Sequence, residues 1–567
     1  MRAHRRIVCG VLAAALVPAA AAAQPTDLDA LQRIRAEALE RSQVMELARE
    51  LTDGIGARLT GSPALRRAAE WARGRLEGWG VARARLEPFD FGEGWSSSRC
   101  EVRLLTPQVT QLAALPKAWT PGTAGAVRGE AVRARLETPE DFEAQKGKLA
   151  GKVVFLDALR SEQPPERAPF PVPDFERYDA ERLEELVQLD FHAPRGELWR
   201  ERARERYEQA ARRAEFLKSE GALASVELSS RDLGILRVGG ESANRDPLRP
   251  RGVPGLVMAA EPYQRIVRLL EHGERVELEL DVEASFLADD PHGYDVLAEI
   301  PGGDRGREIV MAGAHLDSWH AGTGATDDGA GVAVVLEAAR ILRALGAAPR
   351  RTIRFALWGG EEQGLLGSSA YVEKYVAGRP EPTDPAERAL PRNLRKPTWP
   401  LELKPEHARI SAYFNLDNGG GRIRGIYTQG NVAAAPVFRS WLEPLADLGA
   451  TTVTNEGTGS TDHVPFDRVG VPAFQFVQDP LDYFEHTHHS NLDTFERLER
   501  EDLVQASIVM AAFLWDAAQR DGMLPRKPLP RAPQEPAAPA GEKGPAPAAP
   551  ALQQGPAPAA PAGGRPR

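Results

Sequence analysis

Five residues of metal-ligating type stand in order along one stretch of the chain: His315, Asp327, Glu362, Asp417 and His489. Each follows a predicted buried strand or heads a predicted helix, and a second carboxylate, Glu361, sits directly beside the third. Two imidazoles and three carboxylates suit a pair of divalent zinc ions. The spare glutamate suits a general base. The chemistry open to such a set is metal-assisted hydrolysis.

No single motif decides this. In His315-Leu316-Asp317 the outer residues share a face of an extended chain, so the Asp317 carboxylate is expected to accept the second ring N–H of His315 and fix its tautomer. Surface H-x-D pairs without a metal are commoner. Asp327-Asp328 opens a predicted helix after the glycine-rich approach Gly322-Thr323-Gly324-Ala325. Acidic residues there often only cap the helix dipole, but a carboxylate bridging two cations also fits. Glu361 and Glu362 at a strand end repel one another unless a cation or a proton relieves them; a solvated acidic helix start is the plainer alternative. His486, His488 and His489 crowd four positions, with Asp493-Thr494 just beyond. Thr461-Asp462-His463 is a weaker, outer candidate. Jointly, four of the five ligands fall at strand ends or helix starts of one predicted sheet, where open α/β folds bind ligands. The chain has no H-E-x-x-H, G-x-S-x-G or G-x-x-x-x-G-K signature of rival hydrolases.

The elements that must position these residues are apolar runs at 309–314, 353–358, 412–416 and 472–477, alternating with helical or loop stretches. A strong amphipathic helix is expected over 327–345. The pattern predicts an α/β fold: a doubly wound, mostly parallel (mixed) sheet with helices on both faces. Gly61-Ser62-Pro63 caps a packing helix with Leu65, Ala68, Ala69, Ala72 and Leu76 inward. Short strands at 151–157, 223–228 and 276–282 carry no ligand or nucleophile constellation. They indicate a β-rich insert that shapes or covers the substrate cleft, with a long polar stretch at 163–221 inside it.

The expected organisation is a signal peptide at 1–23, an N-terminal part of the main domain at 24–121, the insert at 122–288, the catalytic domain at 289–523 and a disordered Pro/Ala-rich tail at 524–567. Arg2, Arg5 and Arg6 precede a short apolar run that ends in an alanine-rich cleavage site, so export to the periplasm or beyond is expected, with no membrane anchor after cleavage. Of two cysteines, Cys9 lies in that leader, which leaves Cys100 unable to form an internal disulfide. A net charge of -10 and the lack of a basic block before the tail argue against nucleic acid as a partner.

The strings H-L-D-S, G-A-T-D-D-G-A-G, G-G-E-E-Q-G-L-L-G-S, N-L-D and H-H-S-N-L-D-T together resemble the co-catalytic di-zinc exopeptidases, the family of bacterial leucyl aminopeptidases, glutamate carboxypeptidases and plasma carboxypeptidase. The resemblance runs over about 54–515, with an insert similar to a protease-associated domain. It implies two Zn2+ ions bridged by Asp327, one completed by His315 and Asp417 and the other by Glu362 and His489, with His488 and His486 close enough to compete for the last place. It further implies Glu361 as general base, Asp317 behind His315, and a cis peptide at Asp327-Asp328. Peptide is the implied substrate. Aminopeptidase or dipeptidase activity is the first expectation and carboxypeptidase activity the alternative; one-zinc glutaminyl cyclase and metal-free binding proteins fit the full ligand set less well. For assembly, a homodimer is an open expectation.

Overall fold

The computed structural model describes residues 26–160, 175–187, 196–246, 249 and 251–532. The expected signal peptide and most of the expected tail lie outside the described residues. The described residues up to Pro530 make one compact unit.

Its main sheet has eight strands in the order Ala82–Asp90, His292–Ile300, Thr352–Trp358, Ile309–His315, Ile410–Asn415, Ala473–Gln478, Ile423–Tyr427, Thr452–Thr454. The middle of the sheet is parallel: Ile309–His315 pairs in parallel with Thr352–Trp358 on one side and Ile410–Asn415 on the other, and the last of these with Ala473–Gln478. Antiparallel strands complete both flanks. The central strand is buried throughout. Val310, Ala312 and Ala314 enter the larger core, while Ile309 and Met311 enter another on the opposite face. This alternation is the period-two pleat of a strand covered on both sides. Helices Ala330–Ala344 and Arg500–Gln519 pack against one face, where Phe414, Phe438, Phe474, Phe476 and Phe513 form a cluster of rings. The predicted α/β mixed sheet is what forms.

Four details differ from expectation. The helix predicted over 327–345 starts only at Ala330, because Asp327 and Asp328 have non-helical backbone angles. It is also buried continuously from Ala330 to Leu342 instead of amphipathic, being enclosed by the sheet and neighbouring helices. The second sheet, eight strands built from residues 94–287, begins before the expected boundary at 122, since Gly94–Thr106 pairs along nearly its whole length with Glu277–Leu287. Finally, the chain does not leave the domain at 523. Leu524 is buried, Arg526 donates to the His407 carbonyl at 2.7 Å, and Lys527 pairs with Asp467. The Ser62 cap formed as expected: its Oγ accepts from Leu65 N at 3.3 Å, and helix Pro63–Gly78 buries the five predicted residues.

Asp516, near the end of helix Arg500–Gln519, accepts a hydrogen bond from Thr26 Oγ1 at 2.8 Å, and burial pushes its carboxyl up to about 7. An acid whose folded pKa is raised holds its proton longer in the folded state, so its contribution to stability falls as pH rises from about 4 to about 7. The lost stability is a few kcal/mol at most. Asp516→Asn is expected to flatten that part of the pH profile and raise the melting temperature at pH 8. Thermal unfolding of both proteins between pH 4 and 8 reads this directly, and parallel profiles would refute it.

Candidate metal centre

The parallel strands decide which side chains meet. His315 is level with Trp358 on one neighbour, and Gly313 with Asn415 on the other. His315 therefore ends the central strand while Glu361 and Asp417 follow the ends of its two partners. The chain leaving Ala473–Gln478 returns to this same edge at His489.

Asp327 sits between two halves. Its Oδ1 lies 3.2 Å from His315 Nε2, and that nitrogen is 3.5 Å from Asp417 Oδ1. Its Oδ2 lies 3.4 Å from His489 Nε2, which is 2.9 Å from Glu362 Oε2. The five sequence-predicted ligands thus come together as two three-donor groups sharing Asp327. His488 is part of the second cluster, ring to ring with His489 at 3.7 Å, but His486 faces Asp482 instead.

The electrostatics of this cluster favour a cation. Burial, with Asp417 and Asp462 close by, raises the Glu361 carboxyl well above the usual range. Burial and Asp327 do the same to Glu362, and burial with Asp417 to Asp328. Asp327 is held low despite burial by its hydrogen bond to His315 and by the nearby His489 and His488. Burial alone would lower His315, but Asp417, Asp317 and Asp327 raise it well above a normal histidine. Asp327 Oδ2 and Glu362 Oε1 are buried with no hydrogen-bond partner. Buried carboxylate oxygens without a partner are costly in a protein interior unless a cation or proton satisfies them. Nitrogen and oxygen donors of this kind fit zinc.

A surrounding layer fixes these groups. Contrary to the sequence reading, the Asp317 carboxylate is not the closest acceptor for His315. Nδ1 is 3.0 Å from the Asp317 carbonyl and 3.7 Å from its carboxylate. The carboxylate instead accepts backbone N–H from Glu361 at 3.2 Å and Glu362 at 3.3 Å, and Thr60 Oγ1 at 2.9 Å. The short loop after the strand curls the Asp317 backbone toward the ring and turns its side chain to the glutamate turn. Asp493, not assigned a role from sequence, accepts from Thr326 N at 2.6 Å and Asp327 N at 3.2 Å, so it orients the shared carboxylate. Arg58, fully buried, donates to the carbonyls of Leu316, Thr323 and Gly324. Gly324 has φ 64° and no room for a side chain beside Ser318, which explains the glycine in the approach.

The Asp327-Asp328 peptide is cis, as the resemblance implies. Asp328 accepts from His315 N at 3.1 Å and Gly331 N at 3.0 Å. A Cβ on Gly331 would lie 2.4 Å from both Asp328 Oδ1 and the Leu416 carbonyl. Helix propensity alone would make Gly331→Ala stabilising by roughly 1 kcal/mol. The crowding reverses the sign, so we expect a loss of about 1–3 kcal/mol together with weaker zinc binding. Denaturant unfolding that shows Gly331→Ala more stable than the parent would rule this out.

A loop of the second sheet, between strands Ala224–Leu228 and Gly255–Met258, also reaches the centre. Arg237 pairs with Ser490 across an antiparallel bridge, and Val238 N donates to the His489 carbonyl at 3.0 Å. This pins His489, whose backbone is left-handed at φ 62°. The Arg237 guanidinium lies 3.2 Å from Nδ1 of both His488 and His489. Arginine only donates, so this contact makes Nδ1 of His489 the acceptor and leaves the ring proton on Nε2. A cation at Nε2 requires that proton to move to Nδ1 and the Arg237 N–H to leave it. Nothing in the sequence alone singled out Arg237, which acts from the loop between strands Ala224–Leu228 and Gly255–Met258 of the second sheet.

Residues 295–514 match the model of peptidase family M28. The resemblance drawn from the motifs is borne out. The peptidase M28 precursor of Shewanella amazonensis SB2B, a crystal structure, is 26% identical and superposes with a TM-score of 0.62 over 89% of this chain and 99% of its own. The zinc aminopeptidase BSAP of Bacillus subtilis has a TM-score of 0.53 at 19% identity over 84% of this chain and 95% of its own, a likeness of fold. Carboxypeptidase Q of Mus musculus is 29% identical over 274 residues, 48% of this chain and 52% of that protein; the Bos taurus protein is 26% identical over 480 residues, 84% and 85% respectively. The match thus spans about half the length of the mouse relative.

Proposed function

We propose that this M28 chain is a zinc-dependent exopeptidase that hydrolyses peptide bonds near a chain terminus, as an aminopeptidase or dipeptidase. The carrying observation is the pair of donor groups joined by Asp327, with Glu361 beside one of them. His315, Asp327 and Asp417 would hold one Zn2+, and His489, Glu362 and Asp327 the other. What bound zinc would supply is Lewis acidity, which polarises a carbonyl and acidifies water.

The protein's own part follows from the contacts above. Asp317 holds the backbone of both glutamates, so the Glu361 carboxylate projects from a fixed turn. With a cation nearby, Glu361 is ionised and takes a proton from water on a carboxylate oxygen. It then hands that proton to the departing amine nitrogen, which leaves as a neutral amine.

A second reading, carboxypeptidase activity, is favoured by the alignment of bovine carboxypeptidase Q along most of this chain. The chain has the full donor set for two ions, which argues against one-zinc glutaminyl cyclase chemistry and against a metal-free binding protein. The basic leader supports export; no helix among the described residues is long and apolar enough to cross a membrane. The second sheet takes the place of the protease-associated-like insert and shapes the site through Arg237.

The deciding experiment is a panel of peptides with each terminus free or blocked, with zinc measured in the same preparation. Cleavage that requires a free amino terminus and about two zinc ions per chain supports the first reading. Cleavage that requires a free carboxylate supports the second. No hydrolysis of any peptide by zinc-loaded protein would refute both.

A further inference from the structure

A cavity of about 1100 Å³ adjoins the catalytic turn. Gly364, Leu365 and Leu366 form one wall, and Gly364 and Leu365 donate to the Glu361 carbonyl at 2.8 and 2.9 Å. Asp467 and Arg468, at the end of the short helix that follows Asp462, contribute to another. Two segments that begin at the metal centre therefore run into this cavity.

Its charge is opposite to that of the chain. Eight arginine and lysine side chains and only three carboxylates line it, in a protein of net charge -10. Half of those cations are neutralised: Lys374 by Glu87, Arg392 by Glu373, Arg395 by Glu381 and Lys527 by Asp467. The other four, Arg200, Arg379, Lys404 and Arg468, have no carboxylate partner among the described residues. Arg379 donates to the Thr398 carbonyl at 2.8 Å and lies 4.2 Å above the Trp399 ring, which holds it in place without cancelling its charge. Lys404 donates to the carbonyls of Glu373 and Lys374. Arg468 is exposed in the concavity, and burial of its surroundings together with the charge of Arg200 lowers its pKa. Unpaired like charges gathered in a concave, partly desolvated space repel one another and focus a positive potential there. An incoming carboxylate relieves that repulsion and can accept from arginine through both oxygens.

We propose that this cavity is the carboxylate subsite of the peptidase, seating either an acidic side chain of the peptide or its C-terminal carboxylate. The proposal rests on the exopeptidase reading and adds a preference for acidic substrates to it.

The test uses zinc-loaded, full-length enzyme and four peptides of equal length, with glutamate or alanine side chains and a free or amidated C-terminus. The kcat/KM advantage of the carboxylate-bearing peptides over amidated alanine peptide should be about tenfold or more. It should shrink toward unity in Arg468→Glu and in Arg379→Gln, and in high salt. Persistence of the advantage in amidated glutamate peptide identifies the side chain as the ligand; its loss on amidation identifies the terminus. Equal kcat/KM for all four overturns the subsite while the exopeptidase reading stands. If none is cleaved, the exopeptidase reading falls, and calorimetry then judges the cavity with acetylated triglutamate amide and acetylated trialanine against acetylated trialanine amide. Equal Kd for the three probes, or tighter binding of a carboxylate probe that Arg468→Glu and Arg379→Gln leave unchanged, overturns the proposal. Melting curves of both variants exclude misfolding as the cause of any loss.

Discussion

Glu361→Gln should retain both zinc ions and lose turnover by roughly 10²–10⁴-fold. The amide keeps the size of the side chain but cannot take a proton from water or return one to the leaving amine. No donor to either cation group is removed, because Glu362 faces His489 and the other group uses His315, Asp327 and Asp417. The substitution also takes one ionisable carboxyl out of a buried, mutually repulsive cluster, so the melting temperature should hold or rise. Atomic absorption for zinc alongside steady-state kinetics reads both parts. Hydrolysis at the parent rate would remove Glu361 from the mechanism.

Asp327→Ala should be more damaging still, because it acts on both halves at once. Among the described residues, Asp327 is the acidic side chain that meets both histidines, 3.2 Å from His315 Nε2 and 3.4 Å from His489 Nε2. Its removal should reduce zinc content below about one per chain and bring activity to background. Asp417→Ala, in contrast, leaves the His489 and Glu362 half its shared carboxylate and should keep about one ion. Zinc in thousandfold excess over its dissociation constant stabilises a protein by about 4 kcal/mol. That increment, read as the zinc-dependent thermal shift, should vanish in Asp327→Ala. Two ions retained with an undiminished shift would show that the two groups do not share a carboxylate.

The candidate site was unusually legible because its ligands sit at positions where a parallel sheet must expose them. A buried strand that ends in His315, and others that lead to Glu361 and Asp417, read as short apolar runs closed by a polar residue. Gly324 was visible in the glycine-rich approach and Gly331 in the G-A-T-D-D-G-A-G string, and their steric reason is now apparent in the contacts of Ser318, Asp328 and Leu416. Less legible were residues that act through backbone geometry or from a distance. The swap of Asp317 between carbonyl and carboxylate contacts depends on how the loop curls. Arg237 reaches the ligands from a loop far away in sequence, with no spacing rule to mark it, and Asp493, though visible in the H-H-S-N-L-D-T string, meets the backbone of Asp327 only through the fold. The late start of helix Ala330–Ala344 has the same origin: Asp327 and Asp328 have the helix-opening residue types, but their backbone is bent to aim one carboxylate at two histidines.

The mixed α/β fold, the order of the candidate metal donors and the hydrolytic chemistry they suit were readable from the chain, because each depends on residue type and local periodicity. Tertiary structure alone decided which histidine nitrogen faces which carboxylate, what grips the glutamate turn, and which cations around the cleft are left without a counter-charge. Those properties are set by distances of a few ångströms between segments hundreds of positions apart. They follow from strand order and packing, which a linear pattern of residue types does not encode.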